Sequence, residues 1–304
     1  MNNKQLEYAI ALSKSLNFSH VAEQFKISQP ALSKQILNLE KKLGVVLFDR
    51  KQNPIALTAA GEVFFKEARN LLYREEQLYR SMEEFNIGKK GRLSIGISPF
   101  RALYLLPEIC KCVKDKYPGI KIVLHEDYSD NLRRNVTEGK YDFAIANLPV
   151  DESALDVIPI EQDKLVLVIP KCLVHLLSDY PEKQFSHINF NSCQKLPFIV
   201  VSQNQEMRQL FEKLCSFSNF EPDIAMEVTG LATTWQMSKI GIGATILPLQ
   251  FVQNMGLSDD VLIFFPEHST NVRQPAIITK RGQFLPEYAK FAIDLLINKH
   301  NSDK

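Results

Sequence analysis

The sequence is poor in the features that would mark a membrane protein, a metalloprotein or a disulfide scaffold. None of its apolar runs approaches the ~20 residues a membrane span needs. The opening "MNNKQLEYAIALSKSLNF" has too few consecutive apolar residues for a secretory leader and carries Glu7 within the candidate core. A cytoplasmic protein without membrane partners is the expectation. Five cysteines stand at 110, 112, 172, 193 and 215, with no CxxC pair among them. They read as reduced packing residues. Six histidines show neither HxxxH nor HxH spacing, so no metal and no cofactor is expected. GxSxG, HExxH, a P-loop and a GxGxxG at a strand–helix junction are all missing, which leaves an enzyme reading without a motif.

Net charge is scarce too, at +1 over 304 residues, yet it is unevenly placed. Residues 1–58 sum to +4, residues 59–90 to zero and the remainder to −3. A basic head on a slightly acidic body fits a nucleic-acid contact confined to one end. With 45% hydrophobic and 23% charged residues, the composition is that of an ordinary globular chain, long enough for two or three domains.

What is present begins at "FSHVAEQFKISQPALSKQILNLEKKLG", residues 18–44. Val21, Ala22 and Phe25 form one helical pattern and Ala31, Leu32, Ile36, Leu39 and Leu43 a second. Ser28 suits an N-cap, Pro30 a first turn, and Gly44 a stop behind Lys41 and Lys42. An earlier helix carries Leu6, Ala9, Ile10 and Leu12. Two short β-type runs follow, Val46–Phe48 and Ile55–Leu57, around a turn with Asn53 and Pro54; they predict a wing. In a helix–turn–helix the second helix enters the major groove. Gln29, Pro30, Ser33 and Lys34 lie at its leading end, and Asn38 about one turn beyond Lys34. Gln can pair with adenine, Ser can donate to a base or a phosphate, Lys supplies charge, and Pro30 can touch a thymine methyl. The alternative is a helical hairpin with a solvated polar face.

Thr58 then caps a long helix. Ala60, Phe64, Ala68, Leu71, Leu78, Met82 and Phe85 alternate steps of four and three, interrupted by Glu75, which predicts a coiled-coil seam with a second copy of the chain. From 59 to 87 that helix spans about 43 Å. "NIGKKGRLSIGISP" ends it at Gly88 and Gly91. Strands and helices alternate from there on, predicting a largely parallel sheet in two subdomains with a cleft between them. Ligands bind beyond the carboxyl ends of such strands, and helix N-termini attract carboxylates. On that ground Ser98, Arg101 and Asn147 are candidate binders, although Arg101 can also point to solvent and Ser98 can be an ordinary N-cap. Phe100 reads as core.

"LEYAIALSKSLNFSHVAEQFKISQPALSKQILNLEKKLGVVLFDR" with "ALTAAGE" resembles the amino-terminal domain of LysR-type transcriptional regulators. "LPEICKCVKDKYPGIKIVLHED", "EGKYDFAIA" and "KIGIGATILP" are similar to the family's effector-binding domain, in the expected order. The resemblance implies an α/β chain with an N-terminal winged helix–turn–helix (1–58), a long linker and dimerisation helix (59–90) and a two-lobed domain like periplasmic binding proteins (91–304). Lobe I would comprise about 91–162 and 268–304, and lobe II about 163–267. It implies a non-enzymatic, sequence-specific regulator controlled by a small-molecule co-inducer. Its partners would be double-stranded DNA and itself, as homodimer and homotetramer, with RNA polymerase also allowed. DNA contacts carry over to Gln29, Pro30, Ser33 and Lys34, and in the wing to Arg50 and Pro54. Where many relatives carry Arg, this sequence has Lys34, so a phosphate contact is expected there in place of a bidentate guanine contact. Effector contacts carry over to Ser98 and Ser129, with Ser202 and Thr229 as their strand-end counterparts in the second lobe.

Overall fold

Local capping sets the first three helices, α1 (Asn3–Ser15), α2 (Phe18–Gln24) and α3 (Gln29–Leu43). They are seen in a computed structural model that describes residues 2–52, 54–83, 91–160, 162–267 and 273–302. The Ser28 hydroxyl accepts from the Ala31 N–H at 3.3 Å, with Pro30 in the first turn. Gly44 closes α3 at φ +72°, a left-handed turn that a side chain would strain. The chain divides into two compact units, Met1–Gly91 with Gly282–Pro286, and Arg92–Arg281 with Glu287–Lys304. They are called the head and the body below.

In the head, Leu6, Leu12, Val21, Leu32, Ile36 and Leu39 pack with Leu47 and Phe48. The wing is narrower than the sequence predicts: β1 (Phe48–Asp49) pairs antiparallel with β2 (Ala56–Leu57). Val46 stays outside it, 59% exposed, because its carbonyl accepts from the Thr58 hydroxyl at 2.6 Å instead of entering a ladder. Asn53 lies outside the described residues. Thr58 Oγ1 also accepts from the Gly61 N–H at 3.0 Å and so starts α4 (Ala59–Glu83). A Cβ on Gly61 would collide with the Leu47 carbonyl, so glycine is what lets this helix meet the wing.

The seam divides in two. Ala68 is 4% exposed and joins Phe65 in the head's own core, while Phe64 is partly buried against it. Only the later positions Leu71, Leu78 and Met82, each at least half exposed, remain uncovered. Phe85 and Gly88 lie outside the described residues, and the 25 residues of α4 span about 37 Å.

The body opens with β3 (Gly91–Ile97), α5 (Pro99–Lys116), β4 (Ile120–Glu126), α6 (Ser129–Thr137), β5 (Phe143–Asn147) and β6 (Leu155–Pro159). A second lobe follows, with β7 (Leu165–Pro170), β8 (His187–Ile188), β9 (Pro197–Val201), α7 (Glu206–Phe217) and β10 (Asp223–Val228). It continues through α8 (Leu231–Lys239), β11 (Thr245–Pro248), α9 (Leu249–Met255) and β12 (Val261–Pro266). The chain then returns to the first lobe as β13 (Pro275–Lys280) and α10 (Glu287–Ser302).

The first-lobe sheet runs β4-β3-β5-β13-β6 and the second β11-β7-β12-β8, with β10-β9 beside it. These sheets are mixed, which corrects the expectation of a largely parallel one. β3 is parallel to β5, and β9 to β10, as βαβ units require. The strands beside the crossings run the other way. β13 is antiparallel to β5 and β6, and β7 to β11 and β12, because a strand that arrives from the other lobe enters the sheet reversed. Phe100 is core, as expected, but in an unexpected place. From the start of α5 it packs on Phe251 (centroids 5.0 Å apart) among Val166, Trp235 and Ile263 of the second lobe.

Candidate functional site

Helix α3 presents two unlike faces. Leu32, Ile36 and Leu39 are buried, while Gln29, Pro30, Lys34, Leu37 and Asn38 are exposed and Ser33 lies half-buried at the margin. Gln35 is tied to α1 by the Gln5 amide at 3.1 Å, which fixes the helix about its axis. Leu37 was not singled out from sequence, since it looks like one more apolar helix residue; here it stands 51% exposed on the otherwise polar face.

The two wing residues behave differently. Pro54 is exposed. Arg50 is exposed too, but its guanidinium is paired, 3.1 Å from Glu40 and 5.4 Å from the Phe18 ring centroid. Glu40 is buried at the end of α3 and also accepts from the Leu47 and Phe48 N–H groups at 2.8 and 3.2 Å. A buried carboxylate needs donors and a cation, and Arg50 supplies both. Its observed engagement is therefore internal, and joins the wing to α3.

In the body, three of the six expected cleft residues come together. Arg101 is 1% exposed, which removes the solvent-facing alternative. It donates to Asp163 at 2.5 Å and to the Asn147 Oδ1 at 2.7 Å. Ser129 Oγ accepts from the Asn147 N–H at 3.4 Å. The Asn147 amide N–H₂ donates to Glu206 across the cleft. Ser98 N-caps α5 without a side-chain cap bond. Ser202 and Thr229 sit on the second lobe: Ser202 Oγ donates to the Val228 carbonyl at 3.4 Å. Thr229 contributes its carbonyl, which accepts from Tyr128 Oη at 3.0 Å and Gln205 Nε2 at 2.8 Å. Tyr128, Asp163, Gln205, Glu206 and Arg273 complete the cleft and were missed, because nothing in their local sequence shows what lies opposite them.

The charges here are compensated inside the protein. Arg273 lies 3.6 Å from Asp163 and 3.5 Å from Glu206. Burial, followed by the like charge of Arg101, lowers its pKa. Tyr104 is pushed up to about 12, mainly by burial, with Asp163 adding to the rise and Arg101 opposing it. The small cavity lined by Met207, Arg208, Phe211 and Ile246 lies within the second lobe and shares no residue with this cluster. Among the described residues there is no group of three His, Cys, Asp or Glu able to hold a metal.

Comparison with known proteins decides the family. The model for the bacterial regulatory helix-turn-helix protein, lysR family, matches residues 3–62, and that for the LysR substrate binding domain matches residues 86–300. The chain belongs to the LysR family. It is a DNA-binding transcriptional regulator with an effector-binding domain. This LysR-type chain is 30% identical over 259 residues to the hydrogen peroxide-inducible genes activator of Haemophilus influenzae, covering 84% of this chain and 83% of that one. It is 29% identical over 303 residues to a probable RuBisCO transcriptional regulator of Trieres chinensis, covering 97% and 95%. Full-length CbnR, solved in complex with its target DNA, has the same fold at TM-score 0.62 and 18% identity, covering 99% of this chain and 100% of that one.

The cysteines of this LysR-family chain are free. Burial pushes the Cys193 and Cys215 thiols up to about 12. Such thiols stay protonated at neutral pH, the opposite of what a reactive thiol requires.

Proposed function

We propose that two copies of this chain pair along α4 and read a pseudo-symmetric promoter site through residues 29–43. A small molecule in the interlobe cleft controls that reading, and pairs of dimers form the tetramer. The division of labour is residues 1–58 for DNA, 59–90 for pairing and 91–304 for the effector. Lobe I takes about 91–162 and 268–304 of that last part, and lobe II about 163–267. The protein acts in the cytoplasm, by binding and not by turnover. Among the described residues no helix is long and apolar enough to cross a membrane.

The observation that carries the reading is the two-faced α3, whose buried stripe leaves Gln29, Pro30 and Lys34 exposed together, with Ser33 beside them. In the wing, Pro54 and Arg50 add contacts to the DNA backbone, with Arg50 also bracing the wing on Glu40. The uncovered Leu71, Leu78 and Met82 support pairing. Ser98, Ser129, Asn147, Ser202 and Thr229 line the effector's side of the cleft, and Arg101 sets its charge from below.

The test measures binding to the protein's own promoter fragment by fluorescence anisotropy over a salt series. Gln29→Ala is expected to relax base preference by ~1–3 kcal/mol. Lys34→Ala is expected to weaken all sequences alike and to lower the salt slope by about 1. Undiminished specific binding in both removes the recognition assignment. Leu78→Glu with Met82→Glu is expected to give monomers in sedimentation velocity, and an intact dimer would exclude pairing along α4.

A further inference from the structure

Two arginines meet where the chain crosses between lobes. Asp163 on the outgoing crossing and Arg273 on the return form an antiparallel bridge, with the Asp163 N–H donating to the Arg273 carbonyl at 2.9 Å. Arg101 reaches the same place from α5. The side chains of Arg101 and Arg273 are 1% and 9% exposed. Opposite these two positive charges stand Asp163, 4% exposed, and Glu206, 33% exposed.

The two acids are not equivalent. Asp163 is held by Arg101 at 2.5 Å, lies 3.6 Å from Arg273 and is fixed by its own backbone bridge. Glu206 is the first residue of α7, and its carboxylate reaches across from the second lobe to the Asn147 amide and to Arg273 Nε. Even with Glu206 in place, Arg273 Nε and Nη1 and Arg101 Nε meet no acceptor in hydrogen-bond geometry. With Glu206 withdrawn, the cluster keeps one uncompensated buried charge beside an amide and unused N–H groups. A buried charge in that condition is costly, which favours the entry of another anion.

We propose that Glu206 is a resident carboxylate occupying the cleft's anion position, and that the effector carries a carboxylate which displaces it. The inference rests on the effector reading above and narrows it to a chemical class. One missing negative charge and forked N–H donors suit a carboxylate, whereas a dianion would overcompensate. The effector shifts the lobes because it replaces a contact that spans them: the displaced Glu206 no longer ties α7 to Asn147 and Arg273. A ligand moves such an equilibrium only by its different affinity for the two states, and the exchange of one carboxylate for another provides that difference.

The experiment uses the full-length protein with acetate as the probe. Thermal unfolding midpoints are followed against sodium acetate, with chloride and phosphate at matched ionic strength, for the wild type, Glu206→Ala and Glu206→Gln. Acetate is expected to half-saturate Glu206→Ala at a concentration at least tenfold lower than the wild type, and Glu206→Gln to move the same way by less. If Glu206→Ala does not fold, the near-isosteric Glu206→Gln carries the comparison. Equal acetate response in wild type and variants overturns the proposal, and chloride or phosphate matching acetate overturns the carboxylate class. Promoter binding by the wild type is measured alongside. Its absence would count against the regulator reading and leave the anion comparison standing.

Discussion

Head and body solve the problem of polar function in opposite ways. The head places its candidate reading residues within one helix, capped by Ser28 and stopped by Gly44, and leaves Gln29 and Lys34 in solvent. The body gathers Arg101, Asn147, Asp163, Glu206 and Arg273 from five separate segments, and each charge meets an opposite one inside the protein. An uncompensated exposed face binds a polyanion and responds to salt. A compensated buried cluster is screened far less and responds to the exchange of one ion for another.

The largest effect should come from breaking the body's compensation. Asp163→Ala leaves two guanidinium groups facing each other and is expected to cost about 3–5 kcal/mol, read from urea unfolding. Hydrogen exchange should locate the loss in β5 and β13 and leave α1–α3 protected. Unchanged stability would mean that the cluster does not hold the crossings together.

The head's counterpart is Glu40→Ala, which strips acceptors from the Leu47 and Phe48 N–H groups and the partner from Arg50. The expected loss is about 1–3 kcal/mol, smaller because Arg50 is one-third exposed and water can reach it. If Glu40→Ala proves costlier than Asp163→Ala, the contrast drawn between the two regions is wrong.

The same contrast explains what could be read from sequence. The bounds of α3 and the Ser28 and Thr58 caps were legible, because each rests on spacing or on one adjacent residue. The short wing strands shifted because Thr58 captures the Val46 carbonyl, a contact across a turn. The seam was half misjudged, since helical period cannot distinguish a stripe covered by its own domain, at Phe64 and Ala68, from one left open, at Leu71 and Leu78. Local pattern does not place β6 or β12, although "VLIFFP" is strongly apolar, because they pair with β13 and β7, which come from the opposite crossing. In the cleft, Arg101 and Asn147 were singled out by their position at strand ends and helix starts. Their partners Asp163, Glu206 and Arg273 were not, because pairing at such sequence distance leaves no local pattern.

The smallest expected effect belongs to the body as well. His125 on β4 stacks on Tyr141, with centroids 4.6 Å apart and planes 24° apart. Burial first, and the charge of Arg92 second, lower its pKa below the ordinary value. As pH falls through about 6.5 the unfolded chain takes up this proton before the folded one does. The neutral ring's contribution is therefore fully present above that pH and declines below it. Urea midpoints between pH 8 and 5.5 should fall at the acid end, by less than in either variant above. His125→Phe removes the titrating ring and should flatten the decline. An identical slope in His125→Phe would show that the acid sensitivity arises elsewhere, and would remove this ring from the list of groups whose charge the body suppresses.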